Sequence, residues 1–137
     1  MAYIRCETGG GTPSMTETTL WTNSTPSSNF TGKDITLSED YTTFTYIKIE
    51  YKAATTKNTS TYLLVPPSAL TMSVFTDPST PLVSISGRRS SSPSTVQQTR
   101  RICHVSNTSL NISDAYQINA ASMNNDGAIP LKISGLK

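Results

Sequence analysis

The chain has 137 residues, 35% of them apolar, and a formal net charge of +2 at neutral pH. That length suits one compact domain whose core needs neither metal nor disulfide staples. So small a charge speaks against nucleic acid or an acidic membrane as the main partner. No apolar run approaches the roughly 18 residues that would span a bilayer.

Thr and Ser make up nearly a third of the sequence and interleave with apolar residues in short alternating runs. Phe44-Thr-Tyr-Ile-Lys-Ile-Glu-Tyr51 is the strongest of these. Alternation turns one side of a strand to a core and the other to water, and Thr suits that pleated, half-exposed setting.

In chain order, residues 1–13 read as an arm and hinge. Ala2-Tyr-Ile-Arg-Cys6 could form a short strand, and Gly9-Gly-Gly-Thr-Pro13 breaks it. Tyr3, Ile4 and Arg5 are candidate assembly residues if the arm reaches a neighbouring subunit; the other reading is a first edge strand. Met1 to Glu7 holds no apolar stretch flanked by basic residues, so no secretory signal is read there. Release by assembly or lysis is the expected route to an exterior.

Residues 14–137 form the expected body. Strands are predicted at Thr18–Thr22, Asp34–Leu37, residues 44–52 and Thr61–Val65, the last ended by Pro66-Pro67 because proline cannot donate to a ladder. Residues 67–73 could make one helical turn. Leu82–Ser86 is the next strand, followed by a basic, serine-rich loop from Gly87 to Thr95. Gln98–Val105 and Thr108–Ser113 form a hairpin about Asn107. Tyr116–Asn119 and Ile129–Ser134 complete the set around the turn Asn124-Asn-Asp-Gly127. Eight or nine short strands at this spacing indicate an all-β protein, an antiparallel β-sandwich or jelly roll.

Little in the sequence carries chemistry. Two cysteines and one histidine fall short of a four-ligand zinc site. Cys103 and His104 are neighbours on a predicted strand and should face opposite sides. Cys6 and Cys103 either pair across a long loop or stay as buried thiols in a reducing compartment. No nucleophile-elbow sequence accompanies His104, and of the acids that could pair, Glu39 and Asp40 or Asp77, Asp114 and Asp126, most sit in turn contexts where Asp caps its own backbone. A glycosidase could place two acids at any spacing, but no catalytic residue, metal or other cofactor is expected.

Arg88-Arg89 and Arg100-Arg101 are the basic doublets, read as solvated loop and edge-strand charge. The sharper reading of the first is an anion or polysaccharide contact through Arg88, Arg89 and Ser90. Tyr46, Tyr51, Tyr62 and Tyr116 lie in predicted strands, where core or cross-strand packing is expected, and Trp21 reads as a core anchor. Five Asn-X-Ser/Thr sequons, at Asn23, Asn29, Asn58, Asn107 and Asn111, read as incidental in so hydroxyl-rich a chain.

Three stretches carry a resemblance: Leu20-Trp-Thr-Asn23 running on to Phe30 and into Ile35-Thr-Leu-Ser38, then Tyr46-Ile-Lys-Ile-Glu-Tyr51, and the ending Ile129-Pro-Leu-Lys-Ile-Ser-Gly-Leu-Lys137. In this order they resemble small β-domains of bacteriophages and prophages of Gram-positive gut bacteria. The opening Met-Ala-Tyr-Ile-Arg-Cys with its glycine run resembles the stand-alone members. The segment from Pro66 to Thr99 carries little of the likeness. The resemblance implies a non-enzymatic virion protein near the tail, self-associating (commonly as a trimer) with other virion proteins as partners. Loops displayed for host attachment would meet a cell-surface glycan. Capsid decoration is the alternative, and a secreted carbohydrate-binding module is a rival of another class.

Overall fold

A computed structural model describes residues 14–71, 83–88, 98–106, 109–118 and 125–137. Among them are nine strands: β1 (Glu17–Thr22), β2 (Lys33–Thr36), β3 (Tyr46–Ala54), β4 (Ser60–Val65), β5 (Ser84–Arg88), β6 (Gln98–Ser106), β7 (Ser109–Ile112), β8 (Tyr116–Ile118) and β9 (Gly127–Leu136). One short helix, α1 (Pro67–Leu70), follows β4 where Pro66-Pro67 stop it. The strands build two antiparallel sheets, β1-β9-β3-β4 and β2-β7-β6-β5, with β8 paired to β6 beyond β7.

The alternating runs explain which side faces in. From the first sheet Leu20, Ile47, Ile49, Ile129 and Ile133 enter the same buried cluster as Ile35, Ile85, Cys103, Leu110 and Ile112 of the second. Each such Ile or Leu withdrawn from water contributes about 1.5–3 kcal/mol before chain entropy is charged against it. One shared core between two sheets is the all-β, sandwich-like arrangement that the alternation predicts.

Two irregularities set the first sheet. The β1–β9 register shifts between Thr19 and Trp21, and both Leu20 and its neighbour Trp21 pack on the core side. Trp21 is half-buried and meets Phe30 edge-on, ring centroids 6.3 Å apart. The β3–β9 register shifts where Tyr51 meets Pro130, so a proline sits in a central strand at a bulge. Asn23 closes the same place: its Nδ2 donates to the Pro130 carbonyl at 2.9 Å and its backbone N–H to Leu131 at 2.8 Å. The Leu-Trp-Thr-Asn and Ile-Pro-Leu-Lys-Ile stretches are therefore one spatial unit.

Two close approaches fix the packing. A Cβ on Gly135 would lie 2.3 Å from the Phe44 ring, and one on Gly87 would lie 2.5 Å from the backbone of Ala53. The second contact brings β5 backbone-to-backbone against the end of β3.

Candidate interaction surface

The outward face of the first sheet is built in rows by the strand register. Tyr62, Glu50 and Lys132 form one row, and Leu64, Lys48, Ser134 and Thr19 the next. Tyr46, Leu136 and Glu17 form the third. Four charges interlock across these rows. Lys132 Nζ lies 2.7 Å from one oxygen of Glu17, and Lys48 Nζ lies 3.2 Å from the other. Glu50 closes the set at 3.5 Å from Lys132 and 3.8 Å from Lys48. Hydrogen bonds from Lys132 and Lys48 pull the Glu17 carboxyl down to about 2, and the Glu17 bond raises the Lys132 ammonium in turn.

Beside this lattice stand the exposed apolar groups. Tyr62 is 60% exposed, Leu64 43% and Tyr46 38%. Lys48 Nζ also lies 5.3 Å from the centre of the Tyr62 ring, within cation–π reach. Of the two packing modes expected for the tyrosines, the core does not take Tyr46, Tyr62 or Tyr116, all three of which are exposed, while Tyr51 packs partly against the core. Their strands put them on outer faces, and Tyr62 finds its cross-strand neighbours in Glu50 and Lys48.

A second locus lies inside. Arg101, read from the sequence as solvated edge charge, is the largest fully buried side chain among the described residues and is 0% exposed. β6 is not an edge, because β5 pairs with one side of it and β7 and β8 with the other. Thr99, Arg101 and Cys103 take its buried side, while Arg100 is exposed and His104 half-buried. The guanidinium is held by backbone carbonyls. Its Nε donates to Gly127 and Ala128, each at 3.0 Å, Nη1 to Ser113 at 2.9 Å and Nη2 to Asn125 at 3.0 Å. The Phe30 ring lies against it, 5.2 Å from Cζ. Burial pushes Arg101 down to about 10, against the pull of Asp114 and Asp126, and it remains a cation at neutral pH.

Asp114 extends this staple, and its expected role of capping its own turn is also corrected. Its carboxylate accepts from the Gly32 N–H at 2.8 Å and from Asn125 Nδ2 at 3.0 Å, tying together three distant segments. Those bonds hold its carboxyl below the ordinary range. Asn125 Oδ1 accepts from Ala115 N at 3.0 Å. Ala128, which offers one of the carbonyls, sits at φ 48°, a left-handed conformation that costs a residue with a Cβ about 1–2 kcal/mol. Asp40 does behave as the turn reading expects, accepting from Thr42 N and Oγ1 at 2.9 and 2.7 Å.

Of the residues singled out for binding, Arg88 ends β5 opposite Gln98. Arg89, Ser90, the arm residues Tyr3, Ile4 and Arg5, and Cys6 lie outside the described residues. Cys103 is buried, and desolvation pushes its thiol up to about 12. Among the described residues no group of three or more His, Cys, Asp or Glu side chains is placed to hold a metal ion. Nor is any helix among them long and apolar enough to cross a membrane.

Tyr62 and Leu64 are the surface residues that sequence reasoning missed. Their signal was the alternation itself, since Ile49 and Leu63 pair on the core side and leave their neighbours outward. Comparison of the chain with protein-family models, with curated proteins and with solved structures finds no match.

Proposed function

We propose that this chain is a non-enzymatic structural protein of a bacteriophage virion, carried on the tail fibre or baseplate, where it displays surface for host attachment. The observation that supports this most is the outer face of the first sheet, where Tyr62, Leu64 and Tyr46 stand exposed on a framework fixed by four interlocked charges. A preorganised face of exposed aromatics binds with little ordering cost, which suits a component that docks to copies of itself, other virion proteins or a host glycan. On this reading the protein folds in the host cytoplasm and is released by lysis.

The topology supports a jelly-roll relationship in its outer strands. β1 pairs with β9 and β2 with β7, the nested first-to-last pairing of a wrapped ribbon, while β3–β4 and β5–β6 are simple hairpins.

The test is immunogold electron microscopy of particles from the source bacterium, with antibody against the purified chain and epitope access checked on intact particles. Gold at the tail supports the proposal. Gold over the head moves the protein to capsid decoration, and copy number relative to the major capsid protein then distinguishes a lattice component from a sparse fibre. Absent labelling with accessible epitopes removes the virion role. A glycan array on the wild-type chain and Tyr62→Ala would then test the carbohydrate-binding alternative. Arg88→Ala with Arg89→Ala should weaken adsorption to the host; unchanged adsorption discards that loop as the contact.

A further inference from the structure

The exposed edges of the two sheets are not equally protected. β1 carries Glu17 and a bulge, and Ser38 occupies its edge by donating N–H to the Leu20 carbonyl and Oγ to that of Thr19. β2 is four residues long and includes Lys33 and Asp34. β5 ends in Arg88 and lies with Gly87 against the backbone of Ala53. These are the devices that keep edge strands from pairing with other chains: charge, bulge, shortness and cover.

Among the described residues β4 has none of them. Ser60-Thr-Tyr-Leu-Leu-Val65 is uncharged, pairs with β3 in unbroken register from Lys52–Ser60 to Ile47–Val65, and ends its sheet among the described residues. Its outward side chains Tyr62 and Leu64 are apolar and exposed.

We propose that β4 pairs antiparallel with β4 of a second copy of this chain, across a two-fold axis at Leu63, joining two four-stranded sheets into one of eight. The register follows from alternation. Residues facing each other across an antiparallel pair lie on the same face, so the two-fold must match residues of equal parity. With Leu63 opposite Leu63 of the second copy, Tyr62 meets Leu64 twice, Thr61 meets Val65, and each exposed apolar side chain gains an apolar partner. The strand fits itself for want of charge: β1, β2 and β5 would each bring a charged residue to the junction. A two-fold contact of this kind is closed, which makes the unit a dimer where the resemblance implies a trimer. The inference stands apart from the virion reading and is tested without it.

The experiment is light scattering after size exclusion on the full chain, with paired charge variants at two exposed positions. Wild type is expected to be a dimer at about 100 µM, a concentration at which even a weak specific contact is populated. Tyr62→Lys with Leu64→Lys places lysine opposite lysine twice and should weaken the dimer at least about tenfold, with unchanged circular dichroism. Tyr62→Glu with Leu64→Glu should do the same. Mixing the two variants should restore a heterodimer, because each lysine then faces a glutamate. In a Cys6→Ser background, Leu63→Cys should form an intermolecular disulfide on mild oxidation, whereas Thr61→Cys should not. A monomeric wild type, an oligomer that survives the lysine pair, or a mixture that stays monomeric would each overturn the proposal.

Discussion

Replacing Arg101 with Met keeps most of the buried stem and removes every donor. Four carbonyls lose a hydrogen bond: Ser113, Asn125, Gly127 and Ala128. Asn125 keeps the Phe30 N–H at 2.9 Å, so the loss concentrates on Ser113 and on the Gly127–Ala128 pair that shares Nε. Two or three orphaned buried acceptors at about 1–3 kcal/mol each give a gross loss of roughly 3–6 kcal/mol. Against this, the folded state no longer buries a guanidinium, which offsets a few kcal/mol, and Asp114 retains its bonds to Gly32 and Asn125. The net expectation is a loss of about 1–3 kcal/mol. Urea unfolding followed by Trp21 fluorescence and far-UV circular dichroism measures it, and hydrogen exchange should rise first at the Gly32 and Ala115 amides. Arg101→Lys keeps the charge but has one donor head for carbonyls spread around a fork, so it should recover less than half of the loss. A loss under about 1 kcal/mol in the Met variant, or full recovery with Lys, would refute the carbonyl-staple account.

Changes at four further positions have signs that the geometry dictates. Glu17 is depressed from 4.5 to about 2, so its contribution is present above pH 4.5 and lost as pH falls toward 2. Its side chain is a third exposed, and solvent screening brings that contribution down to about 1 kcal/mol or less, weaker in salt. Glu17→Gln should therefore cost that amount at pH 7 and nothing near pH 2, in paired urea titrations. Gly135→Ala should cost about 1–3 kcal/mol by overpacking the Phe44 ring, with partial rescue by Phe44→Leu. Gly87→Ala meets backbone at Ala53, so no side-chain truncation should rescue it. Asn23→Ala loses the bonds to Pro130 O and from Thr25 N and should cost about 1–2 kcal/mol. Asn23→Asp keeps the second bond but sets a carboxylate against a carbonyl and should fare no better.

Strand positions were legible because one face of each strand is plainly apolar. Ile47 and Ile49, Leu110 and Ile112, and Ile129 and Ile133 set the register wherever they occur. β3 begins at Tyr46, two residues after the alternation, because Tyr41–Thr43 make a short 3-10 turn that Asp40 caps. β6 defeated the same logic. Thr99-Arg-Arg-Ile-Cys-His104 has no wholly apolar face, so alternation could not say that Arg101 goes in and Ile102 stays half-exposed. Only the carbonyls of residues 113, 125, 127 and 128, brought together by the fold, make an arginine welcome there. The choice between core and cross-strand packing for the tyrosines stayed open for a related reason: Tyr suits either face of a strand, and its OH needs no burial.

The interior staple and the uncovered edge act on separate free energies, and that separation can be measured. Arg101 joins β6 and β9 to the loop residues at 113 and 125, whereas Tyr62 and Leu64 lie on β4 and share no bonded partner with it. Effects at sites without shared partners add. Arg101→Met should thus lower stability in urea while leaving the β4 contact intact in whatever fraction stays folded. The Tyr62→Lys, Leu64→Lys variant should do the reverse. Association couples the two only through mass action, since a partner that binds the folded chain alone stabilises it in proportion to the logarithm of concentration. Wild type and Arg101→Met should both shift their urea midpoints upward as protein concentration rises, by an amount worth up to about 1.4 kcal/mol per tenfold. The lysine variant should show no shift. If Arg101→Met alone abolished the concentration dependence, the staple would be holding the β4 edge in place, and the two loci would be one.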